Sequence, residues 1–382
     1  MLKSVMFHAN YREAGGEERS FDAECQAFEE AGFDAHRFVV NNSDHPLGAH
    51  GAALAIFNPR VFFRALKVFR AVRPQVAYVN NTWPGLSASV LLAARVSRVP
   101  TIQALRNYRL VAPSAKLLDD GTCLYCGSTC GTWSCIRNGC APGGSNLTLV
   151  AYMASLSVRL VTLGWKRHLF VTPSRVSRNL LKSRGLSRRA IAVRPNFINA
   201  RRPPSLAAGH DAVFVGRLSS EKGVLELVAA WPTDPEFPAL KVVGSGELMG
   251  EISTVAEMNP RITICGALAS DQVLKLMRSS MACIVPSVWA EPFGRVAIEA
   301  MSVGTPAVVS ANGALVDIVG SRGIVLKEIS SVEIRKAVAL LAGPGIEARR
   351  LDAHGRFIHS FSAPAAQVNL KALFRILGIF HR

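Results

Sequence analysis

The 382-residue sequence predicts an α/β protein built from two doubly wound parallel sheets. Three observations predict this class. Short apolar runs of strand character alternate with helical segments along most of the chain, the pattern of parallel sheets covered by helices. The rhythm breaks at Arg201-Arg202-Pro203-Pro204, which reads as a linker, and then restarts. The length suffices for two ordinary domains, and 49% apolar residues without a low-complexity tract exclude a disordered or fibrous chain.

In the first half, residues 4–8 read as a strand leading into the loop Tyr11-Arg12-Glu13-Ala14-Gly15-Gly16-Glu17. Phe21, Cys25 and Phe28 recur at helical spacing, and Gly32 ends that helix. Strands follow at 76–79, behind Pro74, and at 101–105, behind Pro100. Residues 169–172 form the next strand, and Ser174 is placed to cap a helix running to about Lys182. Residues 190–196 close the half. In the second half, strands are expected at 212–215, 240–243, 262–265, 282–285 and 305–309. Residues 299–304 read as a helix closed by Gly304. The last segment, 364–380, carries Leu370, Leu373, Phe374 and Leu377 on one helical face.

Charge divides the chain as well. The net charge is +17, and between Asp44 and Asp211 the acids are Asp119 and Asp120 against 23 lysines and arginines. From Asp211 to Arg350 there are 15 acids and 13 bases. A basic first half suits an anionic membrane surface, nucleic acid or a phosphorylated substrate, and a merely soluble basic surface also fits it. Residues 1–20 carry no apolar signal block, and no run reaches the ~18 apolar residues of a spanning helix. The nearest approach, the uncharged residues 145–158, reads as a core helix or an interfacial one.

Three stretches of the second half carry chemistry. Gly216-Arg217-Leu218-Ser219-Ser220-Glu221-Lys222-Gly223 follows a strand, and its planar guanidinium and ammonium suit a diphosphate. Val243-Gly244-Ser245-Gly246-Glu247 is a glycine turn without the third glycine of a dinucleotide fingerprint, so it indicates no nicotinamide. Glu291-Pro292-Phe293-Gly294 sets one carboxylate on a turn, with Glu299 eight residues on. His8, at the end of the first strand, suits packing better than chemistry. Trp289 stands just before the Glu291 turn.

Together these stretches resemble the family 4 retaining glycosyltransferases, whose two facing Rossmann-like domains form the GT-B fold. The likeness runs over nearly the whole chain, and Glu291 and Glu299 match the family's E-x7-E spacing. It implies an N-terminal acceptor-side domain over 1–198 with a cysteine-rich insert at 119–144. A nucleotide-sugar-binding domain follows over 199–363, and a C-terminal helix over 364–382 crosses back onto the first domain. It implies that Glu291, Phe293 and Gly294 hold the donor sugar, that Glu299 takes the ribose hydroxyls, and that Arg217 and Lys222 neutralise the diphosphate. Gly16, in the Gly15-Gly16 loop, would close over the phosphates. The implied catalytic set is Arg217, Lys222 and Glu291. No Asp-x-Asp pair is present, so metal-independent transfer is expected, with no catalytic cofactor. Attack is expected on the front face, with the acceptor hydroxyl losing its proton late, to the departing phosphate.

Asn81-Thr82-Trp83-Pro84 and Arg106-Asn107-Tyr108-Arg109-Leu110 resemble the branch that builds bacterial surface polysaccharides. Many of its members have histidine where Arg106 stands, and Arg106 reads as a contact to an anionic acceptor or as a surface residue. The expected partners are a nucleotide-diphosphate sugar, a polyprenyl-linked sugar acceptor and an anionic membrane at the cytoplasmic face, with no nucleic acid. A sugar-nucleotide epimerase of the same fold is the alternative enzyme. A basic nucleic-acid-binding protein would explain the charge but not the glutamates, and no helix-turn-helix or aromatic-basic RNA motif is present.

Five of the eight cysteines fall between 123 and 140. Their spacing suits a structural zinc on Cys123, Cys126, Cys135 and Cys140, with Cys130 to spare. A cysteine-rich loop that simply packs fits it as well. Cys25, Cys265 and Cys283 lie in apolar patterns and read as core.

Overall fold

The computed structural model describes residues 2–11, 16–46, 48–128, 132–141, 143–187, 189–199, 203–205, 209–321, 323–343 and 345–379. Gly15, Cys130 and the Arg201-Arg202 pair lie outside them. The chain divides into two compact units, one of residues 1–196 with 366–382 and one of residues 197–365.

Unit 1 holds six strands, β1 (Leu2–Asn10), β2 (Phe33–Asn41), β3 (Val76–Val79), β4 (Thr101–Ala104), β5 (His168–Thr172) and β6 (Ile191–Val193). They pair in parallel in the order β2-β1-β3-β4-β5-β6. The central strands are buried on both faces, as expected where helices cover a parallel sheet. β2 escapes a reading from apolar runs because Asp34, His36 and Arg37 interrupt it. It is an edge strand, and Arg37 reaches Asp22 at 2.9 Å. The helix Gly16–Glu30 buries Phe21, Cys25 and Phe28, and Ser174 Oγ accepts from Ser177 N at 3.0 Å as the cap of Arg175–Leu181.

The C-terminal helix, Ala363–Ile376, brings residues 366 onward into unit 1. Leu370, Leu373 and Phe374 are buried, and the Phe374 ring meets Phe28 edge-on at 5.3 Å and Phe33 at 4.9 Å. Each such burial is worth about 2 kcal/mol, which explains the apolar stripe read from the sequence.

Unit 2 holds β7 (Ala212–Val215), β8 (Leu240–Val243), β9 (Ile262–Gly266), β10 (Ala282–Val285), β11 (Ala307–Ser310) and β12 (Ile324–Leu326), parallel in the order β12-β11-β10-β7-β8-β9. Its sheet is cored on both faces, with Phe214, Leu240 and Trp231 in one cluster and Phe293, Ile298 and Phe357 in the other. Arg350 is fully buried without a carboxylate. It donates to the carbonyls of Ser205, Ser280 and Arg278 at 2.6, 2.9 and 2.8 Å, closing loop ends that would otherwise be orphaned.

The expected helix at 299–304 begins earlier, at Arg295, and runs to Ser302. Gly294, with φ of 89°, turns the chain straight from the Pro-Phe-Gly stretch into the helix, so Glu299 stands inside the helix and not at its start. Cys25 and Cys283 are buried as expected, whereas Cys265 is only partly covered, on edge strand β9.

Two histidines make unit 1 acid-sensitive. His8 is fully buried and stacked on Phe21 at 4.6 Å; burial, aided by Arg106 and opposed by Glu18, lowers its pKa from 6.5 to about 4. Burial lowers His168 to about 3. The unfolded chain therefore binds protons that the folded chain refuses. This share of stability is complete above about pH 6.5 and declines as pH falls towards 4, by at most about 1.4 kcal/mol per pH unit for each histidine. Urea midpoints measured at about pH 7, 6 and 5 should fall in that order; a flat profile would contradict the assignment.

Candidate functional site

In unit 2, the three chemistry-bearing loops leave neighbouring strands and meet beyond the carboxyl ends of the sheet, where ligands of open α/β sheets bind. Gly216 follows β7 and donates to Val243 O at 3.0 Å. Leu218 N donates to Ser245 O at 2.9 Å, and Leu248 N donates to Leu218 O at 3.0 Å. A side chain on Gly244 would start 1.8 Å from Gly216 O, and one on Gly246 would start 2.3 Å from Leu218 O. The glycine turn thus serves close backbone contact with the Arg-Lys loop. The loop after β10 joins through Val288 N, which donates to Glu221 O at 3.1 Å.

This contact sets Lys222 against Glu291. Lys222 Nζ lies 2.7 Å from Glu291 Oε2 and 5.6 Å from the centre of the Trp289 ring. Oε2 also accepts from Ser287 Oγ at 3.0 Å and from Trp289 Nε1 at 2.9 Å. Among the described residues, Oε1 receives no hydrogen bond. One carboxylate oxygen is therefore saturated and fixed, and the other remains for a ligand hydroxyl. The backbone of Glu291 is fixed too. Ala314 N donates to its carbonyl at 2.9 Å, and a side chain on Gly313 would start 2.2 Å from Glu291 N.

The remaining predicted residues fall into place unevenly. Arg217 is on the same loop, 69% exposed, with one nitrogen on the buried Glu221 at 3.0 Å. Gly294 caps the helix carrying Glu299, whose Oε1 accepts from Arg295 Nε at 3.0 Å. Phe293 points into the core, edge-on to Phe361 at 5.6 Å, so only its backbone is available to a ligand. Gly16 is the first residue of the helix Gly16–Glu30, in unit 1, and is exposed. Sequence reasoning missed Ser287, Arg295 and Gly313. Arg295 and Gly313 had legible signals, an i, i+4 pair with Glu299 and the turn dipeptide Asn312-Gly313, whose glycine has φ of 65°; Ser287 had none.

Unit 1 has a pocket of its own beyond the carboxyl ends of β3 and β4, lined by Glu17, Asn81, Trp83, Asn107, Arg109 and Ser155. Glu17 accepts from Asn81 at 3.2 Å and from Asn107 at 3.4 Å. The Arg109 guanidinium lies 5.0 Å over the Trp83 ring, and its Nε has no hydrogen-bond partner among the described residues. Arg106 is not the surface residue that was one reading of it, although it also lines this pocket. Its side chain is 9% exposed and donates to Asn80 at 2.9 Å, to Tyr78 OH at 3.0 Å and to Asn196. It also lies 3.5 Å from Glu24, which Arg194 grips at 2.6–3.0 Å. Arg106 holds strand ends together as well as lining the pocket, and Arg109 is the lining cation with an unpartnered Nε among the described residues.

The four cysteines chosen from spacing come together in unit 1. The sulfurs of Cys123, Cys126, Cys135 and Cys140 all lie within 4.8 Å of one another, and three of the residues are buried.

Residues 209–343 match the family model described as Glycosyl transferases group 1. The chain is 38% identical over 112 residues to an uncharacterized glycosyltransferase of Methanocaldococcus jannaschii, 28% of each chain. It is 37% identical over 123 residues to glycogen synthase of Mycobacterium tuberculosis, covering 30% of this chain and 29% of that protein. The chain thus spans under a third of the length of these curated relatives. Among solved structures, HepE of Anabaena in complex with UDP and glucose aligns with a TM-score of 0.69 at 16% identity, covering 98% of this chain and 100% of that one. Sucrose-phosphate synthase of Thermosynechococcus elongatus aligns at 0.70 with 15% identity and 99% of each chain. At such identities the likeness is one of fold. The protein therefore has the GT-B fold of these enzymes, and its residues 209–343 carry the sequence pattern of glycosyl transferases group 1.

Proposed function

We propose that the protein is a retaining glycosyltransferase that moves a sugar from a nucleotide-diphosphate sugar to a lipid-linked acceptor in bacterial surface-polysaccharide synthesis. One observation carries the reading: Lys222 and Glu291 are joined at the meeting point of three loops, with Arg217 on the same loop and Oε1 of Glu291 open. The likeness to HepE, whose structure holds UDP and glucose, supports a nucleotide-sugar donor.

The roles follow from donor capacity. Lys222 has three N–H bonds and spends one on Glu291, which leaves two for phosphate oxygens. Arg217 offers the rest of its guanidinium to the same diphosphate. Glu291 Oε1 accepts from a donor-sugar hydroxyl, the backbone at Phe293 and Gly294 supports it, and Glu299 takes the ribose. The bond between the sugar's anomeric carbon and the diphosphate breaks, and the acceptor oxygen bonds to that carbon from the same face. The acceptor's proton passes to the departing diphosphate. The cations stabilise the charge that develops there. The acceptor is read in the unit 1 pocket, where Arg109 suits a phosphate.

Glu291→Gln should cut turnover by about 10²–10³, and Lys222→Ala should lower both rate and nucleoside-diphosphate affinity. Released nucleoside diphosphate, followed across a donor panel with and without polyprenyl-diphosphate sugars, measures this. Near-normal transfer by both variants would refute the assignment, and conversion of donor without an acceptor would indicate an epimerase.

The reaction is read as metal-independent, because two cations already face the diphosphate position. Among the described residues, the group able to hold a metal is the cysteine cluster, in the other unit. Turnover in chelator should stay within about twofold while the fold persists. A strict requirement for magnesium or manganese would overturn this.

The protein is also read as peripheral at the cytoplasmic face of the membrane. No helix of the described residues is long and apolar enough to cross a membrane. The stretch 145–158 lies in the helix Gly144–Val161, which buries Thr148, Ala151, Ala154 and Val158 and exposes Leu147, Leu149, Met153 and Leu160. Leu149, Met153 and Leu160 share one side of this helix, and such an exposed apolar row within a unit rich in arginine suits anionic lipid, at roughly 1 kcal/mol per basic residue near the surface. Co-sedimentation should be strong with anionic vesicles and weak with neutral ones; equal, negligible binding would remove the membrane from this reading.

A further inference from the structure

The cysteine cluster lies outside the donor loops and has no part in the transfer reaction. We propose that Cys123, Cys126, Cys135 and Cys140 bind one zinc ion as a tetrahedral tetrathiolate, and that this ion fastens together two walls of the unit 1 pocket. The metal assignment does not depend on the catalytic reading.

The geometry selects the ligand type. A tetrahedral zinc with Zn–S bonds of about 2.3 Å sets its sulfurs about 3.8 Å apart. The four sulfurs here, all within 4.8 Å of one another, need to contract only slightly. A polynuclear iron–sulfur cluster places its thiolates on different irons and so spreads them wider. Two disulfides would draw the sulfurs into pairs about 2 Å apart, whereas the four sulfurs here gather as one group within 4.8 Å of one another. Four thiolates also suit zinc over hard, oxygen-preferring cations.

The local fold presents these sulfurs from two short turns. Gly127 N donates to Cys123 O at 2.9 Å, and Gly127 has φ of 60°, so Cys123 and Cys126 close a tight turn. Cys135 sits in the helix Thr132–Arg137, and Cys140 N donates to Cys135 O at 3.1 Å after a turn at Gly139. The cluster is thereby a joint between two parts of the chain, which also meet where Ser134 Oγ donates to Ser128 Oγ at 2.7 Å.

Each part leads to a wall of the pocket. Upstream, Leu117 bridges Cys123, and Cys123 Sγ lies 3.4 Å from Ser114 Oγ. Ala115 O in turn accepts from Tyr108 N at 3.3 Å, in the segment that carries Arg109. Downstream, Ala141 N donates to Thr148 Oγ1 at 2.9 Å in the helix Gly144–Val161, and Ser155 of that helix donates to Arg109 O at 2.7 Å. A metal bond between the two turns fixes the distance between the segment 106–116 and this helix, and with it the position of Arg109.

Elemental analysis and cobalt exchange of the full chain, purified under reducing conditions, test the proposal. About one zinc per chain is expected. Cobalt-exchanged protein should show thiolate-to-cobalt charge transfer with intense tetrahedral ligand-field bands, and Cys135→Ser and Cys140→Ser should each weaken both. Because the cobalt spectrum is read on the unmutated chain, poor folding of the variants would not obscure the answer. Folded protein without bound metal, iron with labile sulfide, or a mass showing loss of the thiol hydrogens would each overturn the site. For the fastening role, hydrogen exchange should rise in residues 106–128 and 144–161 when zinc is withdrawn by chelator, while residues 209–343 keep their protection. Unchanged exchange in those two segments would overturn the role.

Discussion

The loops of unit 2 that carry Lys222 and Glu291 depend on one constraint, the close approach of backbone to backbone at the carboxyl ends of its sheet. Gly244 lies against Gly216, Gly246 against Leu218, Gly223 against Pro286 and Gly313 against Glu291, and in each case a Cβ would start about 1.8–2.3 Å from a backbone atom. No side chain fits at those four places. Three of the glycines, at positions 223, 244 and 313, also have positive φ, where a side chain would be strained even with space available. This interlock turns three surface loops into one rigid platform. It holds Lys222 and Glu291, which are 69 residues apart in sequence, at 2.7 Å.

The ion pair on that platform is partly exposed, with the lysine and glutamate side chains at 23% and 11%. It is worth little to stability at such exposure and much to orientation. Ser287 and Trp289 restrain the same carboxylate oxygen, so the carboxylate is locked before any ligand arrives. Preorganised polar groups of this kind cost no rearrangement when charge develops on a leaving group.

Unit 1 uses charge in two other ways. Glu24, Arg106 and Arg194 form a buried network that joins helix to strand ends, and the Arg106 guanidinium donates to Asn80, Asn196, Tyr78 and Glu24. Breaking such a network strands a buried charge, typically at about 3–5 kcal/mol. Arg109, three residues away, is held differently. Its guanidinium lies over Trp83 in the pocket wall. Two arginines that line one pocket thus differ in their ties: Arg106 is held by four polar side chains, whereas Arg109 Nε has no hydrogen-bond partner among the described residues.

The sequence by itself determined the fold class, because alternation of apolar runs with amphipathic segments is a local signal that parallel sheets require. It placed β1, β3 to β5 and β7 to β11; β2 escaped as a charged edge strand, and β6 and β12, three residues each, were too short to read as strands. Cysteine spacing selected four thiols that the chain does gather. Glu291, Lys222 and Glu299 were legible because their residue types and spacing form a pattern. Only the tertiary structure decided which groups pair. Arg106 and Arg109 are chemically alike in sequence, Phe293 gave no sign that its ring faces the core, and Ser287 had no motif to mark it. Hydrogen-bond partners 69 or 90 residues apart, such as Lys222 with Glu291 or Asn107 with Glu17, are set by strand order and loop contact, which no local pattern encodes.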